Sequence, residues 1–174
     1  MSTRSRICEF DPNTQSARSI YCHFDGYPAS VGRTLVEHYN APWRVSALMD
    51  LGDLSSLEAF LSPDELNDWR LERLGAKPAH PHDFEHPWPN VTVAYGRDRD
   101  EEHVECDKIA NASDVLSVAR TAARRQSDAE FIYVYDLSER TWYFMDAWYV
   151  MAQGEDSIHK LEDEVARIVG ALDR

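Results

Sequence analysis

A thiol, an imidazole and a carboxylate fall within four positions in Ser19-Ile20-Tyr21-Cys22-His23-Phe24-Asp25-Gly26-Tyr27-Pro28, the densest set of reactive side chains in the chain. Residues of these types can build a nucleophile, a base and an orienting acid. The local geometry opposes that use. In a strand, adjacent side chains point to opposite faces, so His23 cannot readily take the Cys22 proton. His23 and Asp25 share a face and could pair, the carboxylate setting the ring tautomer. A histidine tied to a turn aspartate, with Cys22 as a small core residue, is the expectation. The competing reading is a small hydrolase or nuclease built on His23 and Asp25, with Glu37 or His38 in support.

A second set, His80-Pro81-His82-Asp83-Phe84-Glu85-His86, offers three imidazoles and two carboxylates. Such groups can bind a divalent transition metal, but the spacing matches no closed zinc site. His80, His82 and His86 are therefore candidates for adventitious binding only, and neither a metal nor a cofactor is expected. A third set is acidic: Asp98, Asp100, Glu101, Glu102, Glu105 and Asp107 crowd around Arg97 and Arg99. Further acids stand in blocks at Asp50, Asp53, Glu58, Asp64, Glu65, Asp68 and Glu72. Any one block is most simply a solvated face. Together they could imitate a phosphate track and fill the basic groove of a nucleic-acid-binding protein. Gly26, Gly32 and Gly96 form no phosphate-binding fingerprint, and there is no nucleophile elbow or histidine-glutamate metalloprotease pair.

Positioning these groups falls to a chain of 174 residues, a length suited to one domain over 1–174. Asp11-Pro12-Asn13 is a turn signal between a strand around Arg4–Phe10 and a second over Ala17–Phe24. Ser30 is placed to cap a helix carrying Val31, Leu35 and Tyr39. Asn40 and Pro42 are placed to open another, with Val45, Leu48 and Met49 inward and Gly52 as its stop. Ser62-Pro63-Asp64-Glu65 has the capping-box pattern for a helix through Leu66, Trp69 and Leu74, ended by Gly75. Four prolines mark a Pro/His-rich loop at about 77–90. Val91–Tyr95 reads as a strand and Arg97–Asp107 as a charged loop.

Ser113 is expected to cap a helix with Val115, Leu116, Ala119, Ala122 and Ala123 inward. Two apolar strands follow, Glu130–Tyr135 and Thr141–Trp148, whose aromatics Phe131, Tyr133, Tyr135, Trp142, Phe144 and Trp148 are expected in the core. A helix over Glu155–Leu172 carries Ile158, Leu161, Val165, Val169 and Leu172 in one stripe. This order predicts an α+β fold, an antiparallel sheet of about four to six strands packed against helices.

Composition narrows the function classes. With 31 acidic against 18 basic side chains the net charge is −13, which opposes direct nucleic-acid binding. No apolar run reaches the ~20 residues of a membrane span, and the opening MSTRSRICEF has no signal-peptide hydrophobic region. Three cysteines, Cys8, Cys22 and Cys106, suit a reducing cytoplasm better than a disulfide scaffold.

The segments Arg18-Ser19-Ile20-Tyr21-Cys22-His23, Asp25-Gly26-Tyr27-Pro28, Val31-Gly32, Leu35 and His38-Tyr39 resemble the signature of a family of small phage, prophage and mobile-element proteins. Leu51-Gly52-Asp53-Leu54, Tyr95-Gly96-Arg97-Asp98 and the stretches Phe131–Tyr135 and Trp142-Tyr143 are similar in kind. The resemblance implies an anti-defence protein, of which anti-CRISPR proteins are examples, acting in the cytoplasm of a bacterial host. It brings no catalytic residue with it. The leading expectation is a non-enzymatic inhibitor that binds a host defence protein or nucleoprotein complex. Asp98, Asp100, Glu101, Glu102 and Glu105 would face its basic groove, with Tyr27 and Trp88 as aromatic anchors. A phage accessory protein that dimerises through its sheet or C-terminal helix is a further alternative.

Overall fold

The computed structural model describes residues 2–73, 75, 78–152 and 157–172. Leu74, Lys77, Glu155 and the side chain of Asp68, all read above, lie outside what is described. The first hairpin forms where the Asp-Pro-Asn turn requires it: β1 (Ser5–Asp11) pairs antiparallel with β2 (Ser16–Cys22). The remaining strands are β3 (Leu54–Ser56), β4 (Val93–Ala94), β5 (Asp107–Ile109), β6 (Phe131–Asp136), β7 (Thr141–Asp146) and β8 (His159–Lys160). They form one eight-stranded sheet in the order β4-β3-β2-β1-β6-β7-β8, with β5 also on β2.

The α+β class holds, but the sheet is mixed and larger than four to six antiparallel strands. β1 runs parallel to β6, and β2 parallel to β3. Four of the strands have only two or three residues, too short to carry a period in the sequence. The parallel β1–β6 pair joins residues 5 and 131, a partnership that no local pattern encodes.

Alternation along the strands divides the core. On one face Ile7, Ile20, Tyr133, Tyr135, Trp142 and Phe144 pack against α1 (Arg33–His38), α2 (Pro42–Asp50) and α7 (Leu161–Leu172). On the other, Cys8, Phe10, Ile132, Val134 and Met145 lie beneath α5 (Val115–Arg125) and α6 (Ala147–Ala152). The buried aromatics use their polar ends to tie down loops. The Tyr133 hydroxyl donates to the Gly26 carbonyl at 2.7 Å and Trp142 Nε1 to that of Tyr39 at 2.8 Å. The Tyr39 hydroxyl donates to the Glu58 carbonyl at 2.7 Å.

Several helix ends differ from expectation. Ser30 lies inside a π-helical turn, Pro28–Gly32, that leads into α1, and caps nothing. Asn40 donates back to the Val36 carbonyl at the end of α1, so Pro42 opens α2 without a side-chain cap. The Ser62 box yields only a 3-10 turn, Pro63–Glu65, before α3 (Asp68–Arg73). Its acid is drawn elsewhere: Glu65 takes both guanidinium nitrogens of Arg44, at 2.8 and 3.0 Å. Asp114, not Ser113, caps α5, in a reciprocal capping box with Ser117. β7 ends at Asp146, whose Oδ1 accepts the Trp148 N–H at 2.9 Å and turns the chain into α6. That leaves Trp148 71% exposed, outside the core. Within 97–107 the chain is not all loop, because α4 (Tyr95–Arg99) occupies its start and β5 begins at its end. Among the described residues no helix is long and apolar enough to cross a membrane.

Candidate functional site

The His23 segment pairs His23 with Tyr21 and not with Asp25. Tyr21 lies near the end of β2 and His23 just beyond it, and the Tyr21 hydroxyl lies 2.7 Å from His23 Nδ1. Phe24 packs edge-on against the ring, with centroids 4.4 Å apart. Asp25 does not pair with His23: the chain leaves extended geometry there, with Asp25 at φ 55° in the left-handed region. The i, i+2 relation that put the two on one face is lost at that point. Cys22 points into the core, where burial pushes its thiol up to about 12 and makes it a poor nucleophile. Glu37 pairs with Arg33 at 2.6 Å, and His38 lies 3.8 Å from Glu37. Since His23 makes one side-chain hydrogen bond at a half-buried position, His23→Ala is expected to stay folded and to lose about 1 kcal/mol in urea denaturation.

The histidine-rich loop is architectural at its centre. His82 is 1% exposed at its side chain, and its Nδ1 accepts the Trp88 backbone N–H at 2.9 Å. This fixes the proton on Nε2, which faces Asp98 Oδ2 at 3.3 Å. His86 turns to Asp83 at 3.2 Å, and its ring centroid is 5.3 Å from that of His80. The three imidazoles therefore do not converge. Among the described residues no group of three or more His, Cys, Asp or Glu side chains could hold a metal ion. Trp88 is half-buried beside Leu66, Leu71 and Val91, with Nε1 donating to the His80 carbonyl at 2.8 Å. It is a packing residue of the loop, in place of the exposed anchor expected. Tyr27 is 41% exposed.

The acids separate into two kinds. Asp98, at 4% side-chain exposure, lies inside a network. It accepts from Arg97 Nε at 2.7 Å, from Arg97 Nη2 at 2.8 Å and from the Ala94 N–H at 2.8 Å. Arg97 also donates to the carbonyls of Leu61 and Thr92, both at 2.6 Å. Burial works to raise the Asp98 carboxyl. The hydrogen bonds from Arg97 and Ala94, with the charge of Arg97, outweigh it and hold the group below the usual aspartate range. Asp98 is thus withdrawn from any partner, contrary to its place among the expected contact acids.

Beyond it the chain turns outward. Asp100 ends α4 in the left-handed region at φ 54°, and His103 repeats that conformation at φ 63°. Between and after these bends Asp100, Glu101, Glu102 and Glu105 are all exposed. The loop is anchored from beneath by the Asp53 N–H, which donates to the Val104 carbonyl at 2.7 Å. Opposite it, Asp83, Phe84 and Glu85 join Asp98, Arg99 and Asp100 around an open depression of about 410 Å3. Arg99 sits over the Phe84 ring at 4.7 Å. Asp83 is held below the usual carboxylate range by the backbone N–H of His86, with the His86 ring and the Glu85 N–H adding to it. Asp83 and Glu85 thus belong to the acidic face although 15 or more residues separate them from Asp100. Their charge and their place beside the prolines of the loop were the only sequence signals for this, since the loop's chemistry had pointed to its histidines. Searches against protein-family models, curated proteins and solved structures find no match for the chain.

Proposed function

We propose that this chain is a non-enzymatic binding protein whose acidic face occupies the basic groove of a nucleic-acid-handling partner. The observation that carries the reading is that Asp83, Glu85 and Asp100 meet around one depression, with Glu101, Glu102 and Glu105 exposed on the loop that follows. Carboxylates set on both sides of a shallow concavity present negative charge at the spacing and exposure that steer a cationic surface. The partner class follows from charge: a groove lined by Lys and Arg for phosphates also accepts an array of carboxylates. On the resemblance to phage and mobile-element proteins, the partner proposed is a bacterial defence protein or nucleoprotein complex, with an anti-CRISPR role as the specific form. Tyr27 is the exposed aromatic proposed as an anchor at such a contact.

The test is capture from a bacterial lysate with the intact chain and with a Glu101→Lys, Glu102→Lys, Glu105→Lys variant, at increasing salt. The intact chain is expected to retain a nucleic-acid-binding protein that salt or added DNA releases. The variant is expected to associate about tenfold more slowly, with a flatter salt dependence. Equal capture by both chains at every salt concentration overturns the proposal.

A further inference from the structure

At the other end of the sheet from the acidic face, the β6–β7–β8 corner forms a second concavity of about 430 Å3. Its floor follows from register. Phe131 stands opposite Asp146, and Phe144, two residues before Asp146 on β7, stands opposite His159. All four therefore face the same side of the sheet, the side covered further along by α7. Tyr149 of α6, Ser157 and Glu164 in the first turn of α7 form the walls. The volume falls in the range of small-ligand sites, roughly 300–1,000 Å3.

We infer that this concavity binds an alkylammonium group, with the aromatic faces of Phe131, Phe144 and Tyr149 around it and the Asp146 carboxylate as its counter-charge. Aromatic rings attract a cation through the negative potential of their faces, and a nearby acid adds direct attraction. No Lys or Arg lines the concavity among the described residues, which disfavours an anion. Among the described residues no group of three or more His, Cys, Asp or Glu side chains could hold a metal ion there. Asp146 has no cationic partner among the described residues, and its Oδ1 is engaged by the α6 backbone. Glu164 is different, since Arg167 forks onto it at 2.7 and 2.8 Å, so its charge is already countered. Asp146 is therefore the acid that selects a cation. The inference is independent of the acidic face and of the partner proposed for it.

An alkylammonium can come from a free amine or from a lysine side chain of another protein, and calorimetric titration separates the two. The probes are n-butylammonium, a short peptide with one internal lysine, and 1-butanol as the uncharged control. Saturable binding of n-butylammonium or of the peptide, with none for 1-butanol, is the expected result. Similar affinity for both cations assigns the site to a free amine, and a preference of more than tenfold for the peptide assigns it to a lysine side chain. Tyr149→Ala and Asp146→Asn should each weaken binding about tenfold. Tyr149 is exposed, and asparagine keeps an oxygen for the Trp148 N–H, so both variants should remain folded. Binding of neither cation, equal binding of 1-butanol, or affinity unchanged in both variants overturns the assignment.

Discussion

Gly52→Ala is expected to lose about 3–5 kcal/mol of folding stability and to displace the acidic loop. Gly52 follows α2 at φ +73°, a left-handed conformation that an alanine adopts at a cost of about 1–2 kcal/mol. The larger part comes from space. An added Cβ would press on the Val104 carbonyl oxygen, far inside contact distance, and would lie 3.1 Å from the Val104 carbonyl carbon and 3.3 Å from Glu105 Cα. These are backbone atoms, so no side chain can swing away. Val104 must move, which breaks its hydrogen bond with the Asp53 N–H and shifts Glu105 with it. Gly75→Ala is the matched control: at φ +77° with nothing within 4 Å, it carries the conformational cost alone, about 1 kcal/mol. Urea denaturation of the two variants separates the effects. Equal losses would mean that the close approach beneath the acidic loop is absent. If the acidic face is the binding surface, Gly52→Ala should also weaken partner capture at temperatures where it is still folded.

Asp98→Ala is expected to cost about 2–3 kcal/mol, as leaving buried donors without an acceptor does. The substitution leaves the His82 Nε2–H and the Ala94 N–H without their acceptor and removes the counter-charge of Arg97, which keeps its bonds to the Leu61 and Thr92 carbonyls. The pH dependence has a definite sign. The Asp98 carboxyl is held below its ordinary value in the folded chain, so the unfolded chain takes up its proton first as pH falls. Its contribution is complete above the ordinary aspartate range and is lost as pH falls through the lowered folded value. The stability difference between the parent chain and Asp98→Ala should therefore be constant near neutrality and shrink in acid, measured by urea denaturation across pH. The Glu101, Glu102 and Glu105 substitutions are the contrast. Exposed on a loop, each should change stability by no more than about 0.5 kcal/mol while altering association. A small loss in Asp98→Ala, comparable to these, would remove the distinction between structural and contact acids.

That distinction shows where sequence reading stops. Asp98 and Asp100 are two residues apart in one acidic run, and composition treats them alike. Their separation depends on α4, a short helix without a side-chain cap that brings Asp98 back to Arg97 and the Ala94 N–H and releases Asp100 in a left-handed turn. His80, His82 and His86 are likewise equivalent as text. Only the approach of the loop to α4 buries the middle one against Asp98. The expected His23–Asp25 pair failed for a related reason, because face-sharing at i, i+2 holds only while the strand continues.

The elements that were legible are those whose determinants lie within a few residues. Asp11-Pro12-Asn13 encodes the first hairpin, the apolar spacing from Leu116 to Ala122 encodes α5, and the near-continuous apolar and aromatic runs at Phe131–Asp136 and Thr141–Asp146 encode two central strands. Turn chemistry, strand alternation and helical period are properties of residues up to about four apart, so the chain carries them wherever it goes. The parallel pairing of β1 with β6, the four short strands and the burial of Asp98 against His82 join residues far apart in the chain. Such contacts exist only once the whole sheet has closed and its burial has repaid the entropy of bringing those segments together.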